Sequence, residues 1–227
     1  MRTQLEQETM SENQAPISEG YYFATTVYKV DAKQHLETAK AVALQYLQES
    51  EKHQTHLNDL YPVRMTDNMF ADPRLHDLAA TIVQLSWNIL DAQGFQMNNL
   101  NTVFLSMWAQ EHFKYSLMEQ HAHGESAQIV GFYFLDVPED ANTRMAIFDP
   151  RPAKVQINLP EKNLADITYG SNVVTFTPEP GCLFLTNAWV PHSFTRNGSN
   201  KPVRFIHFNI GVEKIPPMPC QDGPEVI

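Results

Sequence analysis

The stretch that decides the fold is Gly181–Ile210, GCLFLTNAWVPHSFTRNGSNKPVRFIHFNI. It holds three short apolar runs, Cys182–Thr186, Ser193–Arg196 and Arg204–Ile210, and turn-forming pairs such as Asn-Gly lie between them. Apolar runs of this length, bounded by turn residues, are typical of strands joined by tight loops. The stretch therefore predicts consecutive β-strands.

The same texture extends upstream. Further runs of this kind are Thr102–Gln110, Ile129–Leu135, Met145–Phe148, Val155–Leu159 and Val173–Thr177. About eight short strands in succession indicate a double-sheet jelly roll or a barrel. We therefore predict a mainly β protein with flanking helices, folded as a cupin-like jelly roll (double-stranded β-helix).

The first half of the chain favours helices instead. After the strand-like run Tyr21–Val30, Asp31 can cap a helix whose apolar residues recur at i, i+3 and i+4. Asp72 followed by Pro73 is a second helix start, and Gly94 is the corresponding stop signal. We expect these helices to cover one sheet of the β core.

The chain is expected to form one domain. Residues 1–19 have almost no apolar side chains and are predicted to be disordered. We assign residues 20–227 to a single jelly-roll domain, with helices mostly before residue 100, a β core at about 101–211 and a Pro-rich tail at 212–227.

The charge balance limits the classes of partner. The 227 residues include 16 Lys and Arg against 26 Asp and Glu, a net charge of −10 at pH 7. A surface of this sign repels phosphate backbones and anionic membranes. The chain has neither a secretory signal nor the roughly 20 consecutive apolar residues of a membrane span. We expect a cytoplasmic protein that binds neither nucleic acid nor membrane, with an N-terminal strand and helices that offer a face for a homodimer.

Three histidines provide metal-ligand chemistry. His121 and His123, in EQHAHGES, are two residues apart, so on an extended strand their imidazoles point to one face and can hold one ion. His192, in WVPHSF, would arrive from another strand. A single histidine is commonly a surface or core residue, but three on one face leave coordination positions open, as in non-haem Fe(II) oxygenases.

The segments around these histidines resemble a known enzyme family. Trp108–Leu135, WAQEHFKYSLMEQHAHGESAQIVGFYFL, is similar to the H-x-H, P-x-S and S-G-V-Y-Y-L segment of 2-oxoglutarate/Fe(II)-dependent oxygenases. Gly181–Ile210 resembles that family's W-x-P-H segment and the Arg that opens its last strand; the similarity spans roughly residues 65–211. The resemblance implies Fe(II) as the metal, 2-oxoglutarate and dioxygen as co-substrates, and hydroxylation of an unknown substrate coupled to decarboxylation of 2-oxoglutarate to succinate. The family is common in marine bacteria and their phages, so a phage source, and with it a host cytoplasm, is an open alternative.

Carried over residue by residue, the resemblance implies His121, His123 and His192 as the metal ligands. It also implies that Arg204 binds the distal carboxylate of 2-oxoglutarate, and the guanidinium fork suits a planar carboxylate. The alternative is that Arg204 pairs with an Asp or Glu of the protein. Tyr133 could add a hydroxyl to the same carboxylate or simply pack in the core.

The chain departs from the family pattern after His123. It carries one residue more before Gly131, and it has Gly124-Glu125 where the family has Pro and a neutral residue. His123 and Glu125 form the His-x-acid pair that is commoner across 2-oxoglutarate oxygenases. A site of His123, Glu125 and His192 is therefore the alternative to the three-histidine site that we favour.

Two other functions stay open. One is a cupin-like three-histidine metalloprotein that does not use 2-oxoglutarate, in which Arg204 would be dispensable for cofactor binding. The other is a non-catalytic jelly-roll binding module. His207 falls on the strand face opposite Arg204, and we interpret it as a structural residue. Cys182 has no paired base in the sequence, which argues against a nucleophile.

Overall fold

The structure is a computed structural model, and it describes residues 18, 20–156 and 159–216. Within this part of the chain, antiparallel strands form two sheets. The strands are β1 (Val27–Asp31), β2 (Val63–Met65), β3 (Leu100–His112), β4 (Met118–His121), β5 (Ile129–Asp136), β6 (Met145–Phe148), β7 (Val173–Phe176), β8 (Cys182–Asn187), β9 (His192–Phe194) and β10 (Val203–Lys214). The six-stranded sheet has the order β1-β8-β5-β10-β3-β2, and the four-stranded sheet has the order β4-β9-β6-β7. The predicted mainly β jelly roll is confirmed.

Two long helices, α1 (Leu36–His53) and α2 (His76–Ala92), precede most of the sheet strands, and α3 (Pro152–Val155) is a single turn. The start signal before α2 is confirmed: the Asp72 carboxylate accepts the backbone N–H of Arg74 at 2.9 Å and so caps a 3-10 turn, Pro73–Leu75, that runs directly into α2. Gly94 adopts a φ of 92°, which a residue without a side chain reaches at no steric cost, and the chain leaves the helix there.

The large sheet is apolar on both faces, and each face has its own core. The outer face packs against α1 and α2 through residues such as Met107, Leu183, Ile206 and Phe208. The inner face packs against the small sheet through an aromatic layer that consists of Phe132, Phe134, Phe184, Phe194 and Phe205. The alternation of side chains along each strand separates the two sets, so a shift of one residue changes the core to which a side chain belongs.

Local patterns were less reliable in the short elements. The strand predicted at Val155–Leu159 is wrong at its start, since Val155 ends the helical turn that begins at Pro152; residues 157–158 lie outside the described residues. Strands β2 and β4 were not predicted, because each is short and half-exposed or polar. The predicted disordered segment 1–19 and the end of the predicted tail, 217–227, also fall largely outside the described residues.

No helix among residues 18–216, so far as they are described, has the length and apolarity that crossing a bilayer requires.

Candidate metal centre

Four histidines meet between the two sheets. His121 ends β4 and is the cross-strand partner of His192, the first residue of β9. His123 follows two residues later, in a backbone position set by its N–H bond to the Ala188 carbonyl oxygen at 2.8 Å. His207 comes from the inner face of β10, and one ligand nitrogen from each of the four imidazoles lies within 4.8 Å of the others. We refer to these four residues as the histidine cluster.

Backbone carbonyls hold three of these rings in one orientation. In each case Nδ1 lies within hydrogen-bond distance of a carbonyl oxygen: His121 with Glu119 at 2.8 Å, His192 with Val190 at 3.0 Å and His207 with Gly131 at 2.9 Å. A carbonyl oxygen only accepts, so Nδ1 carries the proton and Nε2 keeps its lone pair. This is the arrangement by which proteins prepare an imidazole to bind a metal through Nε2.

The lone pairs have no partner within the described protein. The Nε2 atoms of His123, His192 and His207 are buried and without a hydrogen bond. Burial lowers the pKa of His123 to about 4 and that of His192 to about 3, and it holds the pKa of His207 well below its usual value. The rings of these three histidines are therefore neutral at pH 7. Buried polar atoms without partners are costly, and a single cation would satisfy all of these nitrogens.

Aromatic side chains fix the inner side of the histidine cluster. The Phe132 ring stacks on His207 with a centroid separation of 4.4 Å and an interplanar angle of 3°. Phe132 also lies edge-on to His192 at 5.2 Å. The rest of the inner aromatic layer lies behind these rings, so that side is dry and filled. Any ligand of the metal other than protein must come from the opposite side.

That opposite side is an open cavity of about 760 Å³. His121, His123 and His207 lie in its wall. Its other lining residues are mainly apolar or aromatic, with a few polar side chains: Leu60, Tyr61, Met65, Trp108, Gln110, Leu117, Met118, Glu119, Gln120 and Arg196. A cavity of this size and composition next to a metal can hold a small organic acid and part of a substrate.

Arg204 lies away from this cavity. Its Nε donates to Glu111 at 2.7 Å and its Nη1 donates to Asp136 at 3.1 Å, and both acceptors are on neighbouring strands of the large sheet. The resemblance implied that Arg204 binds the distal carboxylate of 2-oxoglutarate, but Arg204 shares its strand face with Ile206 and Phe208, and that face is the outer one, beneath the helices. The alternative, an Arg paired with acidic residues of the protein, is what the structure shows.

Tyr133 lies on the same outer face. Its hydroxyl donates to the Ala32 carbonyl oxygen at 2.8 Å, and its ring is completely buried in the helix-facing core. Its position two residues from Leu135 and one from Phe132 places it opposite the histidine cluster. The structure therefore does not bring Tyr133 to the site that the resemblance implies.

Glu125 is also absent from the group of possible metal ligands in the described chain. Glu125 is exposed, and it forms a turn with Ser126 in which both residues have a positive φ, 52° and 71° respectively. This turn directs the carboxylate outward. Of the two ligand sets drawn from the sequence, the geometry supports His121, His123 and His192.

His207 is the site residue that sequence analysis missed. It was correctly placed on the face opposite Arg204, but that face is the inner one, where it meets the other three histidines. The available signal was its neighbourhood, because His207 lies in a largely apolar run, Val203–Ile210, that includes Phe205 and Phe208. A buried polar side chain in such a strand requires a partner.

Comparison with known proteins agrees with this geometry. Residues 106–209, which include all four histidines, match the model of a family described as "Putative 2OG-Fe(II) oxygenase". The matched segment spans the β core from β3 to β10. No curated protein sequence matches the chain.

Several solved structures share the fold. AviO1 from Streptomyces viridochromogenes Tue57 is 14% identical, with 86% of this chain and 93% of that chain covered and a TM-score of 0.57. A prolyl-4-hydroxylase from Pseudomonas putida is 10% identical, with coverages of 82% and 92% and a TM-score of 0.54. HygX from Streptomyces hygroscopicus, solved with nickel, 2-oxoglutarate and hygromycin B, is 13% identical, with coverages of 82% and 83% and a TM-score of 0.53. At these identities the likeness shows the jelly-roll fold, and together with the family match it indicates an oxygenase of this class.

Proposed function

We propose that this protein is an Fe(II)- and 2-oxoglutarate-dependent oxygenase, and that it hydroxylates its substrate. The single observation that carries the proposal is the histidine cluster, with its buried, unpartnered Nε2 atoms, inside the segment that matches the family model. His121, His123 and His192 would hold the metal, and His207 would be a fourth ligand.

The residues fit an iron ion. Imidazole nitrogen is a good donor for Fe(II), and the three backbone carbonyls that accept from Nδ1 leave the Nε2 atoms of these rings free to bind a metal. The inner aromatic layer excludes water from one side of the cluster. When bound, the iron and 2-oxoglutarate would together activate dioxygen, with succinate and CO₂ as the co-products.

The cavity fits the co-substrate. It opens directly on three of the four histidines and has room for a five-carbon acid beside the metal. Trp108 contributes an indole N–H that is buried without a partner, so a hydrogen-bond donor is available close to the His207 ring, 4.5 Å away between centroids. The chain's part in the reaction is to bind the co-substrate in this cavity, to orient the imidazoles and to keep the inner side dry.

A second candidate function has an observation in its favour. Four histidine ligands leave two positions on an octahedral metal, whereas a chelating 2-oxo acid and dioxygen together need three. Arg204, the expected carboxylate partner, is also occupied by Glu111 and Asp136. Both facts favour a cupin-like metalloprotein that does not use 2-oxoglutarate. Use of 2-oxoglutarate would require His207 to dissociate from the metal when the co-substrate binds.

Anaerobic spectroscopy distinguishes the two. The protein would be loaded with Fe(II), 2-oxoglutarate added, and the visible charge-transfer band of a chelated 2-oxo acid recorded. His192→Ala should abolish the band, while His53→Ala, an exposed histidine on α1, is the matched control and should keep it. Iron binding without a band in the wild type would favour the cupin-like function, and a protein that takes up no iron would refute both.

A further inference from the structure

We propose that Arg196 and the indole N–H of Trp108 form a carboxylate-binding site in the cavity beside the histidine cluster. The proposal deepens the proposed function, on which it rests, by replacing Arg204 as the residue that recognises an anion. The chemistry recognised is an organic carboxylate, and two sources share it: the distal carboxylate of 2-oxoglutarate, and an acidic group on the substrate.

Arg196 is a cation without a partner. It lies just after β9, two residues beyond Phe194, and its side chain is exposed at the wall of the cavity. No acidic side chain or other hydrogen-bonding group of the described chain contacts its guanidinium. The other arginines of the described chain all have a partner: Arg64, Arg74, Arg151 and Arg204 form ion pairs, and Arg144 donates to the Thr177 hydroxyl.

The cavity has the charge distribution that an acid requires. Among its described lining residues, Arg196 is the only one with a permanently positive side chain. The only carboxylate in the lining is Glu119, on β4, and it forms no ion pair with Arg196. An anionic ligand would therefore be drawn toward Arg196 and away from Glu119, and the fork of the guanidinium suits the two oxygens of a carboxylate.

Trp108 provides an independent reason to expect a ligand here. Its Nε1–H is buried and has no hydrogen-bond partner in the described chain. Trp108 is the cross-strand neighbour of His207 on β3, and its ring lies edge-on to that imidazole. A buried donor of this kind is costly unless an acceptor reaches it, and an acid bound between Arg196 and the metal would supply one.

A binding experiment that removes the distal carboxylate from the co-substrate tests this site. It uses the full chain loaded with Ni(II), a redox-silent substitute for iron. Calorimetry would compare 2-oxoglutarate with 2-oxopentanoate, which keeps the 2-oxo acid and chain length but lacks the distal carboxylate. If that carboxylate binds here, the wild type should prefer 2-oxoglutarate by about tenfold or more, the worth of one charged hydrogen bond. Arg196→Gln should bring the preference close to one, and Trp108→Phe should reduce it. Lys52→Gln removes the same charge from the exposed end of α1 and should leave it unchanged.

The second arm covers the other source. If Arg196 recognises an acidic substrate, Arg196→Gln will keep the preference for 2-oxoglutarate. In that case glutarate should bind to the wild type and to Lys52→Gln when each is already loaded with Ni(II) and 2-oxoglutarate, and it should not bind to Arg196→Gln loaded in the same way. The proposal is overturned if Arg196→Gln changes neither measurement while its thermal unfolding midpoint matches that of the wild type. A wild-type protein that binds Ni(II) but no 2-oxoglutarate would refute the proposed co-substrate. Titration of glutarate into the Ni(II)-loaded protein would then test the carboxylate site by itself. If glutarate binding did not depend on Arg196, the carboxylate site would be refuted as well.

Discussion

His207 donates its Nδ1–H to the carbonyl oxygen of Gly131 at 2.9 Å, a bond that joins β10 to β5 at the histidine cluster. The Phe208 ring packs directly over residue 131 because this residue has no side chain. A Cβ at this position would lie 2.2 Å from the Phe208 Cζ and 2.6 Å from the Phe184 carbonyl oxygen. The orientation of a proposed metal ligand therefore depends on a glycine in the neighbouring strand.

Gly131→Ala should destabilise the protein and weaken metal binding together. The Phe208 ring tip can move, but the Phe184 backbone cannot do so without shifting β8, so we expect a loss of about 1–3 kcal/mol in the free energy of unfolding. Urea unfolding of the metal-free protein, with Ni(II) calorimetry on the same samples, measures both effects. Gly170→Ala is the matched control, since its nearest neighbour would be 3.4 Å from the new Cβ. Equal stability of the two variants would contradict this account of Gly131.

His207→Phe tests whether the fourth histidine binds metal. The variant keeps an aromatic ring on Phe132 and removes a buried nitrogen, so the metal-free protein should fold without a large loss of stability. Because a direct ligand is lost, we expect Ni(II) affinity to fall by at least the 10–100-fold that is typical for loss of an outer-sphere partner. Wild-type affinity in this variant would show that three histidines suffice and that His207 is structural.

Arg204→Gln should affect stability rather than co-substrate binding. Glu111 would keep its bond to Arg64 at 2.7 Å, and Asp136 would keep its ion pair with Lys40. Since both acids retain a partner and Arg204 is partly exposed, we expect a loss of about 1–3 kcal/mol, below the 3–5 kcal/mol of a fully buried pair. Thermal and urea unfolding measure this loss. A large fall in 2-oxoglutarate affinity in a folded Arg204→Gln protein would restore the role that the family resemblance implied.

Asp72 should give the protein an acid-sensitive contribution to stability. Its hydrogen bonds from the Arg74 side chain, with those from the Arg74 N–H and the Tyr46 hydroxyl, lower the pKa of Asp72 from 3.8 to about 2. A carboxyl whose pKa is lower in the folded state stabilises the fold above its unfolded pKa, and this contribution is lost as the pH falls from about 4 to about 2. Asp72→Ala should therefore cost about 0.5–2 kcal/mol at pH 7, as the loss of a helix cap does.

The same variant should cost progressively less as the pH falls below 4, because the wild type then loses the same bonds. Unfolding curves at pH 7 and in the range between pH 4 and pH 2 measure the difference. Asp91→Ala, an exposed acid in the last turn of the same helix, is the control and should cost nothing, since a negative charge at that helix end is not favourable. A constant difference between Asp72→Ala and wild type across the range would contradict the assignment.

The sequence by itself determined the local structure of the longer elements and the residue types of the candidate metal ligands. The runs at Ile129–Leu135 and Met145–Phe148 became strands with almost the predicted bounds, and Asp72 and Gly94 mark the ends of a helix where their backbone preferences place them. The His-x-His pair and His192 were predicted as metal ligands from their residue type, their spacing and the family resemblance, and the structure brings their imidazoles together. For the strands and the helix ends, neighbours in sequence decide the outcome.

Only the tertiary structure decided which face of β10 lies toward the proposed metal site. The alternation of the strand separates Arg204 from His207, but nothing in the strand says whether helices or the small sheet cover a given face. The packing of α1 and α2 on the outer face placed Arg204 between Glu111 and Asp136, and it left His207 to complete the histidine cluster. Arg196 and Trp108, nearly ninety residues apart in the chain, share a cavity for the same reason: the two sheets bring their strands together, and no local pattern records that contact.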